Sequence, residues 1–356
     1  MIKSLSLTNF TCFGEYKFDF CKGINILIGK NGTGKTHILK ALAAIYKSND
    51  DFKNSSSKAK EKFESLLAEN FISYFKPEQL GRLTRRMPGR SSTHVGLQTE
   101  TGKLNFSFST NSKSTVKIEN LADIKPISTL YLPPREMLSS YEGFESLVEN
   151  REVSFDATYL QLAKALKAPI LKGSRYERIK QLITPLEEAT EAKIIKENGR
   201  FYLKNDTGKM EAHLVAEGLR KIASVMYLIT NGCLSANSIL FWDEPESNLN
   251  PKLIHIICDL LLQLANNGVQ IFIASHDYLL THRLSLHSEY KKGVDGNVKV
   301  PSIKFFCLTK EDNDGNETNV LTGETLAALS HNPILEEYAD FYDLEQSYFN
   351  HSIESV

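Results

Sequence analysis

The chain has 356 residues with 42 basic and 43 acidic side chains, and this balance by itself indicates no nucleic-acid, membrane or acidic partner. Hydrophobic residues make up 41% and charged residues 24%, so the chain can bury a sizeable core and is not disordered as a whole. The balance hides an asymmetry: residues 311–356 hold 11 acidic side chains and no Lys or Arg, which leaves residues 1–310 with a net charge of +10.

Three features predict a cytoplasmic chain without a membrane segment. The five cysteines are scattered without metal-ligand spacing, as is typical of reduced thiols, and Met1–Phe10 lacks the pattern of a signal peptide. The uncharged run 222–242 is interrupted by polar, turn-forming residues from Thr230 to Ser238. Each apolar half is too short to span a bilayer, so we expect a buried helix, a turn and a buried strand.

A phosphate-binding motif follows the apolar run Ile24–Ile28. The motif GKNGTGKT comes directly after this run, and apolar residues at helical spacing follow it from His37 to Ile45. A strand, a glycine loop and a helix form the context that this motif requires, because backbone N–H groups and the helix N-terminus then surround a phosphate. We expect Lys35 to reach the β- and γ-phosphates of ATP and the Thr36 hydroxyl to bind Mg²⁺. The predicted ATP-binding residues of this loop are Gly29, Asn31, Gly32, Thr33, Gly34, Lys35 and Thr36.

Residues 50–125 are predicted to be an insertion of mixed αβ character, with an amphipathic helix over 58–75 and hairpin strands over 93–109 and 114–119. Within it, the segment 79–99 contains four arginines and no Asp or Glu. These arginines could bind a nucleic-acid backbone, an acidic partner or the acidic tail of the chain, or they could form a solvated loop. The four residues are Arg82, Arg85, Arg86 and Arg90.

Two later strands are predicted to end in polar catalytic residues. The apolar run Ser238–Trp242 ends in Asp243 and Glu244. Beside a phosphate loop, Asp243 can hold Mg²⁺ through its water shell, and Glu244 can orient or deprotonate the attacking water. The run 269–274 ends before His276, which can donate a hydrogen bond to the γ-phosphate.

The acidic tail is predicted to contain an amphipathic helix. Asn332 and Pro333 form a good N-cap and N1 pair, and an apolar stripe follows among Asp and Glu residues. Such a helix can pack on its own head or dock another subunit or an effector, and the sequence leaves both open. The stripe consists of Ile334, Leu335, Tyr338, Phe341, Tyr342 and Leu344.

The order of these motifs resembles the ATPase head of the ABC class, and in particular its RecF, SMC and OLD branch. The opening IKSLSLTNFTCF is similar to the first strand and N-F-x-x-F turn of the branch. LYLPPREML followed by REVSFD is similar to the RecF pattern of P-E-D-L and a later R-R-x-F-D. The motifs in chain order are GKNGTGKT, VAEGLR from Val215 to Arg220, ILFWDEPESNLNP and IFIASHD.

The resemblance implies an ABC-type α/β fold with a mixed sheet, a P-loop helix and a helical lobe over residues 157–235. It covers residues 1–310 as one head and leaves 311–356 as an acidic helical tail. It further implies a head-to-tail dimer around two ATP molecules, in which Glu217 and Gly218 of the signature face the γ-phosphate of the partner subunit.

The same resemblance assigns further positions. Phe13 would lie near the adenine base, with a core aromatic residue as the alternative, and Arg135 and Glu136 would occupy the glutamine loop that couples Mg²⁺ to the helical lobe. Two departures put the sensing of nucleotide across the dimer in doubt. Ala216 stands where the family has a serine in its signature, and Asn250 stands where it has the D-loop aspartate.

Two absences narrow the subclass. About 180 residues without sustained heptads separate Thr36 from Ala216, and 80 residues follow His276. We therefore expect neither the long coiled coil of SMC proteins nor the Toprim nuclease domain of OLD proteins. The short head most resembles stand-alone ATPases of bacterial anti-phage defence operons, where a separate nuclease or toxin acts as the effector. The alternatives are a RecF-like repair ATPase that binds DNA itself and a scaffold that binds ATP without turnover.

Overall fold

The computed structural model describes residues 1–121, 123–150, 153–290, 300–310 and 317–354. Arg151 and Glu152, which begin the REVSFD match, lie outside these ranges, as do residues 311–316 at the start of the predicted tail. Among the described residues, no helix is long and apolar enough to cross a membrane.

The strands are β1 Ile2–Phe10, β2 Phe13–Asp19, β3 Ile24–Gly29, β4 Ser92–Thr99, β5 Lys103–Ser109, β6 Lys117–Leu121, β7 Thr129–Leu132, β8 Lys193–Glu197, β9 Arg200–Asn205, β10 Gly208–Glu211, β11 Ile239–Asp243, β12 Gln270–Ser275, β13 Ile303–Lys310 and β14 Thr318–Gly323. The α-helices are α1 Lys35–Asn54, α2 Lys60–Phe75, α3 Phe144–Glu149, α4 Ala157–Ala165, α5 Ser174–Thr190, α6 Glu217–Thr230, α7 Pro251–Asn266, α8 Tyr278–Glu289 and α9 Pro333–Glu354. Short 3₁₀ turns occupy Leu80–Leu83 and Ala212–Leu214.

The main sheet positions the candidate site. Its strand order is β14-β13-β3-β12-β11-β7, and all neighbouring pairs are parallel except β13 with β14. β3, β11 and β12 are buried along their whole length, as expected for parallel strands covered on both faces. Because these three strands are neighbours and run the same way, their carboxyl ends meet at one edge. That edge carries Gly29, Asp243 and Ser275.

A second, antiparallel sheet combines β1 and β2, from the start of the chain, with strands of the predicted insertion. Its order is β2-β1-β4-β5-β6, so the strands of the insertion extend the sheet that β1 and β2 begin. Aromatic side chains of α2 pack against it, with the rings of Phe71 and Phe106 5.4 Å apart in an edge-to-face arrangement. The insertion therefore shares one hydrophobic core with β1, β2 and α1.

The helical lobe differs from its prediction in one detail. The sequence predicts a hairpin over 194–204 that turns at 205–208. The structure has a three-stranded antiparallel sheet β10-β9-β8 instead. The first turn falls at Asn198 and Gly199, both at positive φ, and the predicted turn residues lead into a third strand.

The main sheet extends beyond residue 310, where the sequence predicts the boundary between head and tail. β14 pairs antiparallel with β13, with Thr318 opposite Lys310 and Gly323 opposite Phe305. β14 therefore forms one edge of the main sheet. The sheet therefore continues past residue 310. Among the described residues of this segment, 317–354, α9 alone has the helical, acidic character that the sequence predicts for 311–356.

Candidate nucleotide-binding site

Two glycines in the loop between β3 and α1 have backbone conformations that residues with a side chain rarely adopt. Gly29 has φ 145°, and a Cβ there would lie 2.2 Å from the Leu308 carbonyl oxygen. Gly34 has φ 97°, and a Cβ there would lie 2.8 Å from the ring of Phe13. These conformations turn the chain tightly at the start of α1, where a helix N-terminus favours an anion.

Lys35 is buried at the base of this loop. Its Nζ donates to the carbonyls of Gly29 at 2.6 Å and Lys30 at 3.0 Å. Burial lowers the pKa of Lys35, and the carboxylates of Glu244 and Asp243 oppose that shift. Thr33 is also buried and donates to the Lys30 carbonyl, whereas Asn31 and Gly32 lie exposed at the tip of the loop.

Thr36 and Asp243 are brought together from the two predicted motifs. Thr36 Oγ1 donates to Asp243 Oδ1 at 3.0 Å, and Tyr131 OH donates to Asp243 Oδ2 at 3.3 Å. Burial raises the pKa of Asp243 to about 6, partly offset by the bond from Thr36. A hydroxyl and a carboxylate held together are oxygen donors of the kind that Mg²⁺ prefers, so the pair fits a hydrated Mg²⁺.

Glu244, Glu246 and His276 form a cluster beside that pair. Nδ1 of His276 lies 3.6 Å from Glu244 Oε1 and 3.8 Å from Glu246 Oε1. Glu246 is buried and accepts from Ser275 Oγ at 2.8 Å and from the backbone N–H of His276 at 3.2 Å. Glu246 thereby holds the end of β12, and Glu244 and His276 share one side of the site.

The predicted signature lies at the start of α6. Gly218 is buried, and a Cβ there would lie 2.3 Å from the Asn248 carbonyl oxygen, so only glycine allows α6 to approach this turn. Glu217 is exposed. Ala216 occupies the N-cap without a side-chain cap, whereas Asn250 caps α7 by accepting from the backbone N–H of Leu253 at 3.0 Å.

Phe13 and Glu136 are placed differently from the other predicted residues. Phe13 is 0% exposed and contacts Phe18 edge to face at 5.7 Å, so the structure supports the alternative of a core aromatic rather than a contact with adenine. The Glu136 side chain is 3% exposed and accepts from Arg220 Nε at 2.6 Å and Ser139 Oγ at 2.6 Å. Binding of Mg²⁺ by Glu136 would therefore require this ion pair to open, while Arg135 is exposed next to it.

Two family models match this chain. One is described as "AAA domain, putative AbiEii toxin, Type IV TA system" and matches residues 47–281; the other, "AAA ATPase domain", matches residues 1–81. The first match covers more than half of the chain. The chain belongs to this AAA domain family. Proteins of the AAA and SMC-head families bind ATP, generally with Mg²⁺, and are typically ATPases.

Similar structures confirm the predicted fold of this AAA domain. The SMC head domain from Thermotoga maritima has a TM-score of 0.50 at 12% identity and covers 90% of this chain and 98% of its own. The SmcHead bound to the C-winged helix domain of ScpA has a TM-score of 0.53 at 11% identity, with 91% and 98% covered. The Smc head from Pyrococcus furiosus, bound to the C-terminal domain of ScpA, has a TM-score of 0.50 at 11% identity, with 97% and 99% covered.

A curated relative supports the same branch. Structural maintenance of chromosomes protein 6 of Dictyostelium discoideum is 31% identical over 115 residues, which cover 29% of this chain and 10% of that protein. The AAA domain thus matches about a tenth of the length of this relative. Together with the structures, this match confirms the predicted resemblance to the RecF/SMC-type ATPase head.

The four predicted arginines of this AAA domain have different surroundings. Arg82 is exposed and pairs with Glu78 at 3.3 Å. The Arg85 side chain is 16% exposed and pairs with Glu317 at 2.9 Å, just before β14. Arg86 and Arg90 are exposed on the following loop. One arginine therefore contacts the C-terminal segment of its own chain.

Two residues at the site of this AAA domain were not predicted from the sequence. Lys221 is buried on α6 and contacts the turn after β11, and Glu246 holds the end of β12. A signal for Lys221 is its position directly before the uncharged run of α6, because a lysine that begins a buried helical stretch needs specific acceptors. Glu246 follows Glu244 by two residues, and its sequence gives no sign that it is buried.

Proposed function

We propose that this chain is a switch ATPase that binds and hydrolyses MgATP. The observation that carries the proposal is the hydrogen bond between Thr36 and Asp243, which joins the phosphate loop to the end of β11. Beside it lie Glu244 and His276, with 3.6 Å between Glu244 Oε1 and His276 Nδ1. A phosphate loop, an oxygen pair for Mg²⁺ and a carboxylate base are the parts that phosphoryl transfer to water requires.

Each residue has a chemical role in this proposal. Lys35 neutralises the charge that develops on the β- and γ-phosphates. Thr36 and Asp243 would hold Mg²⁺, which would supply further positive charge to the phosphate oxygens. Glu244 takes a proton from the attacking water. His276 donates a hydrogen bond to the γ-phosphate and so distinguishes ATP from ADP.

We further propose that two copies associate head to tail around ATP. The N-terminus of α6 is accessible for this arrangement, because Ala216 and Glu217 are exposed there and Gly218 fixes the helix against the turn at Asn248. An exposed helix N-terminus is suited to bind the γ-phosphate of an ATP molecule held by a second subunit.

Anti-phage defence with a separate effector is the proposed biological role. The family description names a toxin and a toxin–antitoxin system, in agreement with a defence role. The surface offered to an effector is the apolar side of α9, where Phe341 is 68% exposed and Tyr342 and Tyr348 are also exposed. α9 is attached near the nucleotide site, since Glu337 pairs with Lys30 of the phosphate loop at 3.6 Å.

Phosphate release tests the ATPase proposal. Wild-type protein with MgATP is expected to release phosphate, and chelation of Mg²⁺ is expected to abolish the release. Protein that binds ATP but releases no phosphate in the presence of Mg²⁺ would favour the scaffold alternative.

Co-purification with the product of the neighbouring gene tests the effector proposal. The variant Phe341→Ser/Tyr342→Ser is expected to lose that partner and keep wild-type ATP turnover, because both side chains are exposed and lie on α9. Equal recovery of the partner with wild type and variant would contradict a docking role for α9.

A further inference from the structure

Lys221 is a buried cation whose hydrogen-bond acceptors belong to the turn Glu244–Ser247, which follows β11. It is 5% exposed on α6. Its Nζ donates to the Glu244 carbonyl at 2.5 Å, to Ser247 Oγ at 2.5 Å and to the Ser247 carbonyl at 3.3 Å. These three acceptors match the three N–H donors of an ammonium group, so the cost of burying the charge is offset by a complete set of hydrogen bonds.

The Glu244 backbone needs such support. Its φ is 48°, a left-handed conformation that residues with a Cβ rarely adopt, and Pro245 restricts it further. Its N–H donates to the Ala274 carbonyl of β12 at 2.9 Å, and its carbonyl accepts from Lys221 of α6. The peptide units on either side of Glu244 are thus held by two different elements, and they set the direction of its carboxylate.

The contacts of Lys221 also connect α6 to the segment after β7. Ser247, which accepts from Lys221, donates to the Pro134 carbonyl at 3.1 Å. Arg220, the neighbour of Lys221 on α6, pairs with Glu136 at 2.6 Å. Gly218 lies one turn earlier and contacts the Asn248 carbonyl. A shift of the N-terminus of α6 would therefore move the turn that carries Glu244.

We propose that Lys221 is a positioning residue that sets the backbone conformation of Glu244 and so couples the position of α6 to the catalytic base. This inference rests on the proposed function, in which Glu244 activates water. The three hydrogen bonds of Lys221 go to the turn Glu244–Ser247, and none of them goes to the phosphate loop. Its loss should therefore slow turnover and leave ATP affinity unchanged.

Steady-state kinetics of three variants test this inference. Lys221→Met is expected to lower kcat about 10- to 100-fold, the effect of losing hydrogen bonds from a charged group, with KM and ATP affinity within about twofold of wild type. Lys221→Gln retains a donor for the Glu244 carbonyl and is expected to give an intermediate kcat. Lys196→Met is the matched control, because Lys196 is a half-buried lysine of the helical lobe that bonds Tyr141 OH and the Leu166 carbonyl.

The outcomes separate the inference from the proposed function. A kcat of Lys221→Met within about twofold of wild type, or equal to that of Lys196→Met, would overturn the inference while the ATPase proposal stands. Wild-type protein without turnover would overturn both. If Lys221→Met does not fold, Lys221→Gln and Ser247→Ala provide the test: both should lower kcat with KM unchanged, and an unchanged kcat in both would overturn the inference.

Discussion

Thr36 Oγ1 donates a 3.0 Å hydrogen bond to Asp243 Oδ1 and so joins two segments that are 207 residues apart in the chain. Thr36 begins α1 directly after the glycine loop, and Asp243 ends β11, two strands away from β3. The contact follows from the order of the parallel strands, which brings the carboxyl ends of β3, β12 and β11 to one edge. This edge is the proposed centre for MgATP.

Removal of the Lys35 ammonium should weaken ATP binding selectively. Lys35→Ala is expected to lower ATP affinity about 10- to 100-fold, because a hydrogen bond from a charged group to phosphate is lost. Lys30→Ala is the control within the same loop, since Lys30 is exposed and pairs with Glu337 on the surface. Calorimetric titration with MgATP measures both, and equal affinities for Lys35→Ala and wild type would disprove the site assignment.

A serine at position 216 should strengthen both α6 and the proposed dimer. Ala216 is an N-cap without a side-chain hydrogen bond, so Ala216→Ser is expected to raise the free energy of unfolding by about 1 kcal/mol. In the proposed dimer, the serine hydroxyl would also face the γ-phosphate of the ATP bound to the second subunit. This contact should lower the dissociation constant of the ATP-dependent dimer up to about tenfold.

The control for this change is Ala59→Ser. Ala59 is the uncapped N-cap of α2, so serine there should give a similar gain in stability without any effect on the dimer. Denaturant unfolding and sedimentation with MgATP measure the two effects. Identical dimer affinities for Ala216→Ser and Ala59→Ser would argue against the head-to-tail arrangement.

The alkaline side of the pH–rate profile should report on Lys221. Burial lowers the pKa of Lys221 to about 8, and Glu246, Glu244, Glu217 and Asp243 oppose the shift. As pH rises through about 8, the ammonium loses one of three donors, so kcat is expected to fall; in Lys221→Gln this fall should be absent.

Stability should change in the opposite direction over the same range. Because the pKa of Lys221 in the unfolded chain is near its ordinary 10.5, the unfolded state binds more protons between about pH 8 and 10.5. The free energy of unfolding contributed by Lys221 therefore rises with pH while kcat falls. A fall in kcat that is identical in Lys221→Gln would assign the alkaline limb to another group.

The exposed arginines give a clean test of direct DNA binding. Arg85→Glu is unsuitable, because it would place a second carboxylate beside Glu317. Arg86→Glu/Arg90→Glu changes exposed residues, so stability should stay within about 0.5 kcal/mol of wild type. The proposed function predicts that DNA leaves the ATPase rate unchanged in both proteins. Stimulation of wild type by DNA that the double variant loses would favour the repair alternative.

The glycine loop and the acidic residues after β11 could be predicted from the sequence, because each is a motif of consecutive residues. The strand, glycine loop and helix around Lys35 and the acids after β11 follow from patterns a few residues long. Phe13 could not be placed in this way, because its burial depends on packing beneath Gly34 and against Phe18. The acidic charge pattern of residues 311–356 does not indicate β14, because the end of the sheet depends on strand pairing with β13.

The contacts of Lys221 and Glu136 could not be predicted from the sequence either. Lys221 bonds to a residue 23 positions away, and Glu136 pairs with Arg220 84 positions away. Such long-range side-chain pairs follow from tertiary structure and leave no periodic trace in the sequence. The motifs therefore predict the candidate reacting groups, and the fold shows which residues hold them in place.

Single-turnover hydrolysis by the variant Glu244→Gln tests the central claim most directly. Glutamine keeps the size of the side chain and removes the base, so the variant is expected to bind MgATP with wild-type affinity and to release phosphate about 10²–10⁴-fold more slowly. ATP should accumulate on the variant under conditions in which the wild type turns over. Phosphate release at the wild-type rate by Glu244→Gln would contradict the assignment of Glu244 as the catalytic base.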